Sequence, residues 1–389
     1  MHLDRGGQPA RAVPFLERAA AVSTRVSANE EAIRCLTLAL SLLERLPAGR
    51  DRDEQELALR SSLSVALNSA RGYAAPDVEQ NLNRVFMLSR SAGRGEVPVR
   101  WMWVAFTLRF MLGDLKGTRE VSEQALARSV SDPSCRCEAH HAMGSTLSSM
   151  GELDASRHHF EAALTAYDER HPQRSALGSD LGVFAHAWYA HALWLLGEEV
   201  AAVSHVEQAV ALARRLDHVY SQTLALAYAG MLHQMRRDAH HVLHCAEAVV
   251  ALCERYGFAY YGDWAQVLIG WARGLERPTE GVEMIESALD RLDAQRAQAR
   301  RPYYLSLLAE VYSLIGNRDR AASILDAAIT IAIERADLWW LPALYLQKSE
   351  LEPPPERDAT RRRGLELARA QNSRGLERRI LASSIATSI

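Results

Sequence analysis

The sequence predicts an all-α protein, a right-handed superhelical solenoid of αα-hairpins, on three observations. Apolar and alanine residues recur at helical spacing almost throughout, and no run of alternating β-branched residues lies between hairpin turns. The helical segments also repeat at intervals of roughly 40 residues, as stacked supersecondary units do.

The elements follow in chain order. Helical periodicity begins at Arg11, a few residues behind Met1, and runs to Thr24. The clearest copy of the repeat is Gly144, Gly151, Phe160 and Ala163. A small residue sits in the middle of one helix, a glycine marks the turn, and a second helix carries a bulky apolar residue with a small one three positions on. The same register gives Ala190, Gly197, Val206 and Ala209, and later second helices carry Val249, Ala288, Ala328 and Leu367 at the last position. From Ala163 onward these positions are 46, 40, 39, 40 and 39 residues apart. Small residues let antiparallel helices approach closely and the glycines permit the turn; Arg237 stands where a glycine is expected. Breaks fall at Asp132-Pro133, His171-Pro172, Arg277-Pro278, Arg301-Pro302 and Glu352-Pro353-Pro354-Pro355, where proline stops or starts helices. One hairpin cannot bury its own apolar face, so 1–389 reads as a single repeat domain of about nine hairpins, with 375–389 as a terminal helix lacking its partner.

Composition narrows the function. The chain has 45 Lys+Arg, 48 Asp+Glu and a formal net charge of −3, which supplies no basic field for a nucleic acid partner. Only Lys116 and Lys348 are lysines. A phosphate-binding P-loop needs a glycine-rich turn followed by Lys and Ser or Thr. Gly117 follows Lys116, and residues 343–347 ahead of Lys348 hold no glycine, so the chain has no such site. The five cysteines are scattered and odd in number, unlike a secreted disulfide framework. The first 20 residues have no apolar signal core, and no stretch approaches the ~18 apolar residues of a membrane span. These features point to a cytoplasmic protein with no membrane partner.

The copies resemble the tetratricopeptide repeat, although they are longer than its usual length. Leu177-Gly178-Ser179-Asp180-Leu181-Gly182-Val183, Ala187-Trp188 and Ala192-Leu193-Trp194-Leu195-Leu196-Gly197 narrow the resemblance, together with Arg71-Gly72-Tyr73-Ala74-Ala75-Pro76-Asp77-Val78, Glu138-Ala139-His140-His141-Ala142-Met143-Gly144, Met231-Leu232-His233-Gln234, Arg301-Pro302-Tyr303-Tyr304 and Trp339-Trp340. They are similar to the C-terminal helical region of large bacterial ATPases, many of which carry an adenylate/guanylate cyclase domain at the N-terminus. The resemblance implies a regulatory role beside an ATPase or cyclase module, in cis or in trans. The catalytic and nucleotide-binding motifs of that family lie outside this chain.

Candidate sites are few. Cys135, Cys137, His140 and His141 form one thiol and imidazole cluster; His240/His244 and His241/Cys245 are two helically spaced pairs in another. Neither has a complete ligand set, and no metal or cofactor is expected. Ser, His and Asp are plentiful, but no motif joins them into a nucleophile triad, and the chain is not expected to be an enzyme. Tryptophans and tyrosines concentrate on the first helices, the wall of a concave groove in such solenoids, where they serve either packing or binding. The expected groove residues are Arg109, His140, Trp188, His191, Tyr228, His233, Asp263, Trp264, Tyr304 and Glu310. Arg109, His191, Tyr228, Trp264 and Tyr304 should share one partly exposed cleft, while Phe160 and Leu325 are buried between hairpins. The functional expectation is a non-catalytic sensor or scaffold holding a protein segment, a peptide or a small effector; the alternative is a stand-alone adaptor acting in trans.

Overall fold

Nineteen α-helices and one 3-10 turn make up the described residues, 9–91 and 99–386 of the computed structural model. Among them the only β-type pairing is a single bridge between Arg174 and Asp180. The helices pair in sequence: α1 (Pro9–Arg25) with α2 (Asn29–Leu43), α3 (Arg50–Arg71) with α4 (Pro76–Ser89), and α5 (Val99–Met111) with α6 (Leu115–Ser129). Then come α7 (Arg136–Ser149) with α8 (Leu153–Ala166), α9 (Leu181–Leu195) with α10 (Glu199–Arg215), and α11 (Val219–Met235) with α12 (Ala239–Tyr256). The last pairs are α13 (Ala259–Gly274) with α14 (Pro278–Ala294), α15 (Arg301–Leu314) with α16 (Arg318–Arg335), and α17 (Leu341–Leu351) with α18 (Glu356–Ala370), followed by α19 (Arg374–Ala386). The chain is a superhelical solenoid of tetratricopeptide-like αα-hairpins. Of the expected terminal segments, 1–8 and 387–389 lie outside the described residues.

Local chemistry sets the boundaries. Asp114, Asp180, Asp238 and Asn317 each accept a backbone N–H of the following first turn, replacing partners those amides lack inside the helix. Pro76, Pro278, Pro302 and Pro342 stand in first turns, where a missing N–H costs nothing. Gly151 and Gly197 turn the chain at φ 82° and 87°, and Arg237 takes the same left-handed conformation at 66°. A Cβ on Gly144 would lie 3.0 Å from the Phe160 ring, the close approach that the repeat pattern anticipates. The 46-residue spacing comes from the α8–α9 connection, which folds inward, burying Ala176 and Leu177. In the last copy the register slips by one: Ala368 is fully buried and the expected Leu367 only half-buried. Gly364 and Ala368, one helical turn apart, present the small face to α17 instead.

The two helices of a hairpin differ in burial. The second helices are amphipathic; α10 buries Ala202, Val206, Ala209, Leu212 and Ala213 along one stripe. From α5 to α17 the first helices are apolar nearly all round, and α9 is buried almost throughout. Contacts across the superhelix explain this. Met111 at the end of α5 accepts the Gln298 N–H ahead of α15 at 2.7 Å, and Ser149 at the end of α7 accepts the Leu338 N–H ahead of α17 at 2.8 Å. Leu195 at the end of α9 accepts the Ser373 hydroxyl ahead of α19 at 3.4 Å. Each link joins a hairpin to the one five places on, as do Tyr73 with Tyr261 (3.0 Å) and Asn29 with the Tyr256 carbonyl (3.4 Å). All but the tyrosine pair satisfy carbonyls that helix ends leave open, and together the links draw successive turns around a filled axis.

Candidate functional site: the aromatic axis

The winding carries side chains from distant first helices into the axis. Trp188 on α9, Tyr228 on α11 and Trp264 on α13 surround Arg300, which directly precedes α15; their ring centroids lie 4.3, 4.7 and 4.9 Å from its guanidinium carbon. His191 stacks on Tyr228 at 5.1 Å and donates from Nε2 to the Tyr228 carbonyl at 2.9 Å. That bond places the proton on Nε2 and leaves a neutral ring, whose burial drives its pKa down to about 3. His141, within ring contact of Trp103, Phe184 and Trp188, is pushed to about 3 for the same reason. Tyr304 lies close enough to Tyr260 and Arg300 to feel both, with its phenol raised well above 10 by burial. A cavity of about 30 Å³, walled by Phe106, Phe110, Phe184 and Tyr260, reaches Trp188 and Arg300.

The expected groove residues therefore divide. Trp188, His191, Tyr228, Trp264 and Tyr304 converge on the axis, each at most 5% exposed, although partial exposure was expected of the last four. The tight winding buries them; an open superhelix would leave the same helix faces in water. Phe160 and Leu325 are buried as expected. Arg109 is half exposed and pairs with Asp114 at 3.1 Å. His140 turns between hairpin helices to meet His159, Nδ1 to Nδ1 at 3.0 Å. Asp263 accepts from Arg291 and Gln295, and Glu310 binds Arg237 while accepting the Trp271 indole N–H at 3.1 Å. Trp339 and Trp340 precede α17 rather than lying within it.

Both cysteine and histidine clusters come apart. Cys137 and His141 are buried, whereas His140 faces elsewhere, and all five cysteines are free thiols. His241 turns from Cys245 to Asp238 (2.7 Å) and stacks on His233 at 4.9 Å. His233, Asp238 and His241 bring ligand atoms within 4.8 Å of one another, the one such group among the described residues. The Arg236 guanidinium, 3.2 Å from His233 Nδ1, opposes a cation there. Helical spacing could not find this trio because it spans a turn. Arg300 was missed as well, since nothing in its sequence context separates it from the exposed Arg296 nearby.

The helical hairpins and their winding define a repeat protein of tetratricopeptide-like fold. No protein-family model matches the chain. An uncharacterised protein of Rhizobium meliloti (strain 1021) is 22% identical over 391 aligned residues, covering 97% of this chain; the chain spans 38% of that relative's length. Among solved structures, a Rap protein complexed with Competence and Sporulation Factor superposes with a TM-score of 0.54 at 12% identity, over 89% of this chain and 100% of that one. The Rap conjugation gene regulator of plasmid pLS20, in complex with the Phr* peptide, gives 0.53 at 13% identity, over 94% and 96%. At such identities the likeness is one of fold. No described helix is long and apolar enough to cross a membrane.

Proposed function

We propose that this chain is a non-catalytic sensor or scaffold that takes a peptide, a segment of a protein partner or a small effector against the inner wall of its superhelix. The observation that carries the reading is the convergence of Trp188, Tyr228 and Arg300 on one axial cavity, with Trp264 against the guanidinium and His191 stacked on Tyr228 beside it, so that polar groups are kept inside an otherwise apolar wall. A packing core alone would be served better by aliphatic side chains, because each buried polar group costs free energy unless it is bonded. Of two solved structures of similar fold, one holds Competence and Sporulation Factor and the other the Phr* peptide, and the second supports the peptide class. The filled axis makes occupancy a choice between two windings: ligand binds the looser one and shifts the population toward it. In the context that the resemblance implies, this shift would regulate an ATPase or cyclase module, in cis or in trans. The Rhizobium relative, of which this region matches 38%, supports an arrangement in cis. Five buried free thiols fit a cytoplasmic setting.

A fluorescence-anisotropy screen of short peptides against the purified chain tests the reading. Thr107 lines the cavity, so Thr107→Leu should fill it and weaken any hit about tenfold, with helical content unchanged. Hits indifferent to Thr107→Leu, binding through the outer second helices, would support an adaptor acting in trans instead.

A further inference from the structure

Arg300 is the most unusual buried group in the molecule. It is 5% exposed and held in the left-handed region at φ 61°, immediately ahead of α15. Its side chain bonds the Tyr228 hydroxyl and the buried Asp337 carboxylate is near enough to feel its charge, but among the described residues no carboxylate forms an ion pair with it and its Nη2 has no hydrogen-bond partner. The indole N–H groups of Trp188 and Trp264, whose rings flank the guanidinium, are buried without partners too. Ring faces attract the charge but cannot accept these in-plane hydrogens. Guanidinium and indole nitrogens are donors only, so Nη2 and the two indole N–H groups are buried donors lacking an acceptor. Buried cations are normally paired, and strained backbone persists where the surroundings hold it for a purpose.

The missing acceptor has a definable chemistry. A planar guanidinium edge matches a carboxylate, and a single cation suits a single negative charge better than a phosphate dianion. The remaining wall, with Phe106, Phe110 and Phe184, calls for an apolar body behind that carboxylate. We propose that Arg300 anchors the carboxylate of an apolar monoacid, either a small acid or the C-terminal residue of a peptide, inside the axis of the superhelix. The proposal rests on the axial-binding reading above and names its ligand class.

The anchor sits where occupancy would be felt. Two residues before Arg300, the Gln298 N–H makes the 2.7 Å bond to Met111 that links the third hairpin to the eighth. Gln298 Oε1 also accepts from Arg335 at 3.0 Å. The cavity of about 30 Å³ has room for water, so a larger acid enters only as this loop and the winding contacts beside it give way. Ligand at Arg300 thereby favours the looser winding.

The test uses 4-phenylbutyrate and 4-phenylbutyramide, and Leu-Leu-Phe with a free or an amidated C-terminus, titrated calorimetrically into the full chain. The acids should bind saturably and each amide about tenfold or more weakly, since it loses a charge-assisted hydrogen bond. Arg300→Met, similar in length but apolar, should bind the acids as weakly as wild type binds the amides; thermal melting checks its fold. If that variant does not fold, the acid and amide comparison on wild type decides alone. Tighter binding of the tripeptide acid would assign the carboxylate to a peptide terminus, and tighter binding of 4-phenylbutyrate to a small acid. Equal binding of acid and amide, or unchanged acid binding by a folded Arg300→Met, overturns the anchor while leaving axial binding standing. If no probe binds, and the peptide screen also finds no hit, both readings fall.

Discussion

Arg237 takes a left-handed conformation that glycine supplies at the matching turns, Gly113, Gly151, Gly197 and Gly316. For an L side chain this costs roughly 1–2 kcal/mol. Offsetting it, the guanidinium bonds both Glu310 oxygens at 2.6 and 2.7 Å and lies 5.1 Å over Trp271. Arg237→Ala loses these contacts and keeps the strain, whereas Arg237→Gly loses them and sheds it. Urea unfolding should therefore show the alanine variant less stable than the glycine one by about 1 kcal/mol. An alanine variant as stable as the glycine one would mean that backbone strain plays no part there. The position was legible in the sequence as a departure from pattern. Its partner was not, because Glu310 lies 73 residues away.

Between α13 and α14 the backbones nearly touch: a Cβ on Gly281 would lie 2.4 Å from Gly274 Cα and 2.6 Å from the Gly270 carbonyl. Gly281→Ala must push the helices apart, and an overpacking loss of about 2–3 kcal/mol is expected. Ala163→Arg, at a fully buried position of the repeat, should be more damaging, since it adds an unpaired charge to the overpacking. Arg362 is exposed on α18, so Arg362→Ala should stay within about 0.5 kcal/mol of wild type. Differential scanning calorimetry of the three variants checks the order; a wild-type midpoint for Gly281→Ala would show that the contact yields cheaply. The repeat register is legible because small residues recur where helices must approach. It slips at Leu367 because the final hairpin uses Gly364 and Ala368 for that approach, and a fixed spacing cannot register a change of helix face.

In an extended solenoid each hairpin touches only its neighbours, but here every turn also rests on the next one, and that burial changes the response to pH. His141 and His191 are held near 3, and His159, His186, His218 and His233 are driven to about 4, in each case chiefly by burial. A depressed histidine contributes stability that is present above its unfolded value of ~6.5 and lost as pH falls toward the folded one. Asp337 works the other way: burial raises it to about 7, so its contribution is intact below about pH 4 and lost as pH rises to 7. Between about pH 7 and 5, His141 and His191 each lose about 2 kcal/mol and Asp337 returns about 2, a net loss on the order of 2 kcal/mol before the water-screened histidines are counted. Urea midpoints should fall over that range, and His141→Phe should flatten the fall. A midpoint that holds or rises at pH 5 would mean that these imidazoles accept protons without disturbing the fold.

The sequence by itself determined the helices, their pairing into hairpins, the turn glycines and the small residues at the contacts. Each of these is a local matter, decided by periodicity and steric fit within about 40 residues. It placed Trp188, His191, Tyr228, Trp264 and Tyr304 in a partly open groove together with Arg109, His140, His233, Asp263 and Glu310, and the sequence pattern could not separate the first five, which meet at the axis, from the others, which pair elsewhere. Tertiary structure alone decided how tightly the hairpins wind, and with it whether the inner wall faces water or its own far side. The winding depends on contacts such as Met111 with Gln298 and Ser149 with Leu338, which are about five hairpins apart and use backbone groups. Backbone groups are the same for every residue type, so no sequence pattern marks those contacts, and none marks Arg300 as the cation they enclose.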